Sequence, residues 1–158
     1  MKSWDVMKAI AGHNASKFSQ RKNYLVIPNV SWGFLYYEAD ILVVTKAKFC
    51  TEIEVKISMA DWKADFAKRK HDHRDSRIKF QYYAAPRELA LRYQELELPE
   101  GWGVIAVKDV DAPLINPHAR APRIEILKEA TVREAKKVTD QELLILARLA
   151  CFRVWRRE

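Results

Sequence analysis

Apolar and polar positions alternate with a period of two through residues 36–57, Y-Y-E-A-D-I-L-V-V-T-K-A-K-F-C-T-E-I-E-V-K-I. That spacing predicts two strands around a short turn at Lys46–Lys48, because successive strand side chains project to opposite faces. In the first strand Tyr37, Ala39, Ile41 and Val43 share one face, and Glu38, Asp40 and Leu42 the other. In the second, Phe49, Thr51, Ile53, Val55 and Ile57 form one row, and Cys50, Glu52, Glu54 and Lys56 the opposite row. Residues 23–30 read as an earlier apolar strand ending at Pro28-Asn29, with a turn at Ser31-Trp32-Gly33. Residues 23–57 are therefore expected to form a three-stranded antiparallel meander.

Helical spacing brackets this meander. Ser3 is placed to cap a helix running to about Gln20, with Met7, Ile10, Ala11, Asn14 and Phe18 on one stripe. Ser58 caps a second helix, with Asp61 three residues on, and Met59, Trp62 and Phe66 turned toward the sheet. A strand over Ile78–Ala85 follows, then a helix from Pro86 to about Leu96 with Leu89 and Tyr93 inward, and a core strand at Val104–Val107. Residues 109–122 hold three prolines and read as a loop, with a short edge strand at Arg123–Leu127. Thr139-Asp-Gln-Glu142 is a capping box opening a last helix, whose inward stripe is Leu143, Leu146, Ala147, Ala150 and Val154. The order α-β-β-β-α-β, then α-β, predicts an α/β (α+β mixed-sheet) fold with helices on both faces. It forms a single domain over residues 1–158, with a core at about 3–108 and a C-terminal loop and helix at 109–158. A crossover between parallel strands is expected to be right-handed.

The row of acids and lysine changes the picture from scaffold to chemistry. Holding Asp40 and Glu54 together on neighbouring strands costs Coulomb repulsion unless a cation lies between them. Hard divalent ions such as Mg²⁺ take one or two carboxylates and complete their shell with water and phosphate oxygens. Lys56 points the same way as Glu54 and is suited to hold an attacking water or to neutralise charge on a phosphate. A plain ion-pair ladder across two strands is the competing account.

Composition points to a polyanionic partner. The chain has 158 residues, 28 Lys+Arg against 21 Asp+Glu, and a formal net charge of +7; a basic surplus of this kind favours nucleic acid. Hydrophobic residues make up 49%, which argues against disorder. A basic run, Lys63, Lys68, Arg69, Lys70, Arg74, Arg77 and Lys79, follows the second helix and is placed to track a phosphate backbone. A solvated helix end accounts for the same run equally well. His71 and His73 fall within it, two residues apart, so they do not face one way and no zinc site is expected there. Cys50 and Cys151 are expected to be buried free thiols. No apolar run has the length of a membrane span and the N-terminal residues lack a signal-peptide core, so a cytoplasmic protein with no membrane partner is expected.

Asp40 followed by Glu54-Val55-Lys56 resembles the PD-(D/E)XK motif of restriction-endonuclease-like nucleases. The acid lies on one strand, the E-x-K on the next, and a Ser-capped helix follows at once. The block Glu54-Val-Lys-Ile-Ser-Met-Ala-Asp61-Trp-Lys-Ala-Asp65-Phe66 is also similar to MmcB-type DNA-repair proteins and related phage nucleases. So are Phe80-Gln-Tyr-Tyr-Ala-Ala-Pro86 and Leu98-Pro-Glu-Gly-Trp-Gly-Val-Ile-Ala-Val107. The resemblance covers roughly residues 24–108. It implies the restriction-endonuclease-like αβββαβ core and metal-assisted hydrolysis of DNA in repair, recombination or phage DNA processing. Asp40, Glu54 and the Val55 carbonyl would hold Mg²⁺, or Mn²⁺ in its place, and Lys56 would act beside them. Glu38 and Glu52 would support those ligands from outside. Many nucleases of this superfamily carry a further acid on the first helix; here His13, Asn14 and Gln20 are the polar candidates, which leaves the metal shell incomplete. The alternative is a DNA-binding or repair-accessory protein that does not cut. Many relatives in this fold act as dimers, so a homodimer is a further expectation.

Overall fold

Six strands lie side by side in chain order in one mixed sheet: β1 (Leu25–Val30), β2 (Ala39–Val44), β3 (Cys50–Val55), β4 (Ile78–Pro86), β5 (Gly103–Val107) and β6 (Ile124–Lys128). The helices are α1 (Ser3–Gly12), α2 (Met59–Ala67), the one-turn α3 (Arg87–Ala90) and α4 (Asp140–Trp155). This is a computed structural model that describes residues 1–12, 16–31, 34–67, 75–108 and 124–155. The α-β-β-β-α-β order expected from the residue pattern is observed from α1 to β4, and the C-terminal helix follows β6.

The first three strands are antiparallel, β3–β4 and β4–β5 are parallel, and β6 returns antiparallel to β5. The reversal at β3 follows from connection length. The turn at 45–49 joins β2 to β3 directly, with Lys48 at a positive φ of 65°; a parallel neighbour needs a crossover, and α2 lies in it. Pro28 sits in β1, an edge strand, where a missing N–H costs no ladder bond on the open side.

Three apolar clusters fill the space around the sheet. On one face Val6, Met7, Ala9 and Ile10 of α1 cover Ile41, Val43, Ile53, Val55, Tyr82, Ala84 and Ile105. On the other face Leu146 and Val138 cover Leu42, Val44, Cys50 and Ile78. Beside that second cluster, Trp62 of α2 and Ala90 of α3 meet Tyr83, Ala85, Trp102, Val104 and Ala106.

Several elements differ from the reading of the pattern. The first helix is described over Ser3–Gly12, and residues 16–20 are not helical, so it does not reach Gln20. Phe18 is still buried, edge-on to Tyr82 with ring centroids 5.3 Å apart. Pro86 both ends β4 and stands at the N-cap of α3, as expected, but α3 is a single turn that gives way to a 3₁₀ turn at Tyr93–Glu95 instead of running to Leu96. There the Arg92 and Leu96 N–H groups bond to the carbonyls of Leu89 and Tyr93, which tightens the chain ahead of the turn into β5. Among the described side chains of the expected α4 stripe, Leu146 is fully buried while Leu143, Ala147 and Ala150 are half-buried; Phe152 and Cys151 are exposed, and the Val154 side chain lies outside those described. The reason is placement: α4 packs mainly on the edge strand β1, not over the centre of the sheet. Cys151 is therefore not the buried thiol expected, whereas Cys50 is.

Candidate active site

The β2–β3 ladder holds as far as Ile41↔Ile53. One step on, where another backbone pair would form, the Asp40 side chain takes over: its Oδ2 accepts the Val55 N–H at 2.7 Å. In a ladder of this kind the N–H and C=O of one residue project to the same side, which aims the Val55 carbonyl toward the place where β2 leaves the sheet. Asp40 is half-buried, and among the described residues its Oδ1 receives no protein hydrogen bond. On its other side β3 stays paired, Glu54 with Tyr83 and Val55 with Ala84, and the Lys56 N–H bonds to the Ala84 carbonyl at 2.9 Å. The strands thus set Asp40, Glu54 and Lys56 around the end of β3.

The side chains of Glu54 and Lys56 are nearly out of solvent, at 3% and 7% exposure. Lys56 Nζ lies 3.9 Å from Glu54 Oε2 and 3.0 Å from Oδ1 of Asp65, a residue of α2 that is itself buried. The second Asp65 oxygen accepts the Tyr83 hydroxyl at 2.9 Å. Two carboxylates therefore lie within ion-pair distance of one ammonium in a medium of low dielectric, where charge interactions are strong. Burial, with the charges of Asp65, Glu54 and Glu52, pushes the Tyr83 phenol far above its ordinary value, so it stays a donor.

Helix α2 sits where it does because the Ser58 hydroxyl caps the Asp61 N–H at 3.1 Å and Trp62 is fully buried against Tyr83, with ring centroids 5.4 Å apart. Asp65 shares the inward stripe of Trp62 and Phe66, spaced three and four residues along one helix face. That spacing is the signal the sequence carried for Asp65. An acid inside an apolar stripe has to meet a partner, and the partner is on β3.

Glu52 has a different role from Glu54. It is buried, and its Oε2 accepts both the Tyr37 hydroxyl at 3.0 Å and the Gln81 amide at 2.7 Å. Gln81 in turn accepts from Arg133 Nη1 at 2.5 Å, and Arg133 also donates to the Glu100 carbonyl. This chain holds Glu52 beside the site as a supporting group. Arg133 lies far along the sequence, and no local pattern pointed to it. Glu38 is exposed, lies just before β2, and makes no contact with the group among the described residues. His13 and Asn14 lie outside the described residues.

The basic run divides. Lys63 is exposed on the outer side of α2. Lys68, Arg69, Lys70 and Arg74 lie outside the described residues. Arg77 is engaged internally: it binds Asp75 at 2.6 Å, Glu142 at 2.7 Å and the Phe34 carbonyl at 2.6 Å. Those bonds tie the start of β4 to the first turn of α4. Lys79 lies over the Phe49 ring, its Nζ 3.9 Å from the centroid. It stands four residues before Tyr83 on β4, about 13 Å along the strand. Lys63, Arg77 and Lys79 thus do not form one surface, because Arg77 faces inward and Lys79 sits at the opposite end of the strand.

Asp40, Glu54 and the Val55 carbonyl are hard oxygen donors, which fits Mg²⁺ or Mn²⁺. Among the described residues no three His, Cys, Asp or Glu side chains gather closely enough to hold an ion by themselves; two carboxylates and a carbonyl are a set that water and phosphate complete.

No family model matches the chain, and no curated protein does. A solved structure does: the SPO1766 protein of unknown function from Silicibacter pomeroyi, with a TM-score of 0.58 and 16% identity over 99% of this chain and 89% of that one. At that identity the likeness establishes the mixed-sheet α/β fold. Among the described residues no helix is long and apolar enough to cross a membrane.

Proposed function

We propose that the protein is a metal-dependent nuclease that hydrolyses phosphodiester bonds, with DNA as the substrate, in repair, recombination or phage DNA processing. The observation that supports this reading is the end of the β2–β3 ladder, where Asp40 Oδ2 accepts the Val55 N–H and the flanking Glu54 and Lys56 lie within 3.9 Å of each other. Asp40 and Glu54 bind the ion together with the Val55 carbonyl. Bound Mg²⁺ or Mn²⁺ would acidify a water and polarise the phosphate. Lys56 orients the nucleophile or neutralises charge on the phosphoryl oxygens, and exposed cations such as Lys63 bind the backbone. The reading includes a cytoplasmic location and a homodimer.

Cleavage of plasmid, linear, branched and single-stranded DNA, with and without Mg²⁺ or Mn²⁺, tests it. Metal-dependent products that disappear in Glu54→Gln support the reading; no product from any substrate sinks it.

One observation favours a second reading, a DNA-binding or repair-accessory protein that does not cut. Lys56 is buried and already paired with Asp65 at 3.0 Å, an arrangement that also serves a fold without chemistry. Calorimetric Mg²⁺ titration separates the two. The nuclease binds the ion through Asp40 and Glu54, and the accessory protein is indifferent to it.

A further inference from the structure

We infer that Asp65 is the positioning residue for Lys56: it draws the ammonium toward α2 and fixes its place beside Glu54. The inference rests on the nuclease reading for its catalytic consequence, but its geometry stands apart from it.

Lys56 has two acids within reach, and the structure shows an unequal choice. Its Nζ is 3.0 Å from Asp65 and 3.9 Å from Glu54. A lysine side chain is a flexible stem carrying a compact charge. Without a second acid, the nearest compensation for a buried ammonium would be Glu54, two residues back on the same strand face. With Asp65 present the ammonium lies nearer to α2 than to Glu54, at 3.0 Å against 3.9 Å.

Asp65 is itself held. Its second oxygen accepts the Tyr83 hydroxyl at 2.9 Å, and the Tyr83 ring stacks on Trp102 at 4.4 Å with an interplanar angle of 25°. Phe66, one residue after Asp65, meets the same ring edge-on at 6.2 Å. The unit is a relay of fixed positions: Trp102 and Phe66 lock Tyr83, Tyr83 orients Asp65, and Asp65 sets Lys56. Stability alone gives little reason for it, since a buried ion pair is on balance no better than an apolar contact of the same shape. What the arrangement confers is a single place for the ammonium.

The test uses the full chain as parent, Asp65→Asn, Tyr83→Phe, Glu54→Gln and Lys56→Met. The NMR signal of the Lys56 ammonium is read in ¹⁵N-lysine-labelled protein, assigned by its loss in Lys56→Met. Steady-state cleavage kinetics on DNA are measured in parallel. The ammonium signal is expected to shift or vanish in Asp65→Asn and to persist in Glu54→Gln. In Asp65→Asn, kcat is expected to fall at least tenfold with KM for DNA little changed, and in Tyr83→Phe by a smaller factor. A signal that follows Glu54→Gln and ignores Asp65→Asn overturns the inference. So does parent kcat in a folded Asp65→Asn, whatever its melting temperature. If the parent cuts no DNA, the nuclease reading falls while the ammonium signal still decides where Lys56 is held.

Discussion

Asp40 Oδ2 accepts the Val55 N–H at 2.7 Å, one step beyond the last β2–β3 backbone pair. One carboxylate therefore closes the ladder and, through its other oxygen, faces the gap the two strands leave. On the proposed nuclease reading structural and chemical roles fall on the same side chain, and substitutions should separate them. Asp40→Ala leaves a backbone donor without its acceptor and should cost about 1–3 kcal/mol. Asp40→Asn keeps an acceptor oxygen, so stability should stay within about 1 kcal/mol of the parent while cleavage drops by at least about a hundredfold. Urea denaturation and a plasmid assay on both variants check this.

Lys56→Met should be costly to the fold, not silent. It leaves Glu54 and Asp65 buried without the cation between them, and removing one partner of a buried ion pair costs about 3–5 kcal/mol. Lys56→Met/Asp65→Asn should recover part of that loss because one of the stranded charges goes with it. Denaturation midpoints of the two variants decide the point.

Arg77 and Lys63 should behave oppositely. Arg77→Ala breaks the bonds to Asp75, Glu142 and the Phe34 carbonyl and should lower stability by about 3 kcal/mol. Exposed Lys63→Ala should leave stability within about 0.5 kcal/mol. On the DNA-binding reading it should also reduce the slope of log affinity against log salt by about one. Thermal melts and binding isotherms at several salt concentrations distinguish them.

The same Arg77 cluster sets an acid limb. Burial works to raise the Asp75 carboxyl, but the Arg77 hydrogen bonds and charge overcome it and hold the group below the ordinary value. Glu142 is also held low, against burial, by the Thr139 hydrogen bonds and by Arg77. A carboxyl with a depressed folded-state value contributes stability above its unfolded value, about 4 for these groups. That contribution is lost as pH falls through the lower folded value. Stability should therefore fall below about pH 4, and the fall should be shallower in Asp75→Asn. Melting temperature against pH for the two proteins measures it.

The two cysteines should differ sharply. Burial pushes the Cys50 thiol up to about 12, and Cys151 is exposed on α4. A thiol reagent at neutral pH should modify Cys151 in the native protein and reach Cys50 only on unfolding. Mass-mapped labelling with and without denaturant reads this directly.

Much of this fold was legible because its signals are local. The period-two rows at 36–57, the Ser58 cap and the Thr139–Glu142 capping box involve residues close along the chain. The caps appear as the pattern placed them, and the rows appear as β2 and β3, shorter at their outer ends, with Tyr36 and Ile57 outside the strands and exposed. The short length of α3 was not legible, because it depends on how the chain must turn back toward the sheet. The exposure of Cys151 followed from α4 settling on an edge strand, a choice no periodicity in α4 encodes.

For the candidate site, the chain alone indicated that Asp40, Glu54 and Lys56 fall on one face of neighbouring strands, since alternation around a short turn at Lys46–Lys48 puts them there. Only the tertiary structure decided which charges meet. Asp65 reaches Lys56 across a crossover helix, Arg133 reaches Gln81 from 52 residues away, and Arg77 turns inward to Glu142 from 65 residues away. Burial makes the difference. Once water is excluded, each charge must find a partner within a few ångströms, and that partner is set by how helices dock on the sheet rather than by neighbours in sequence.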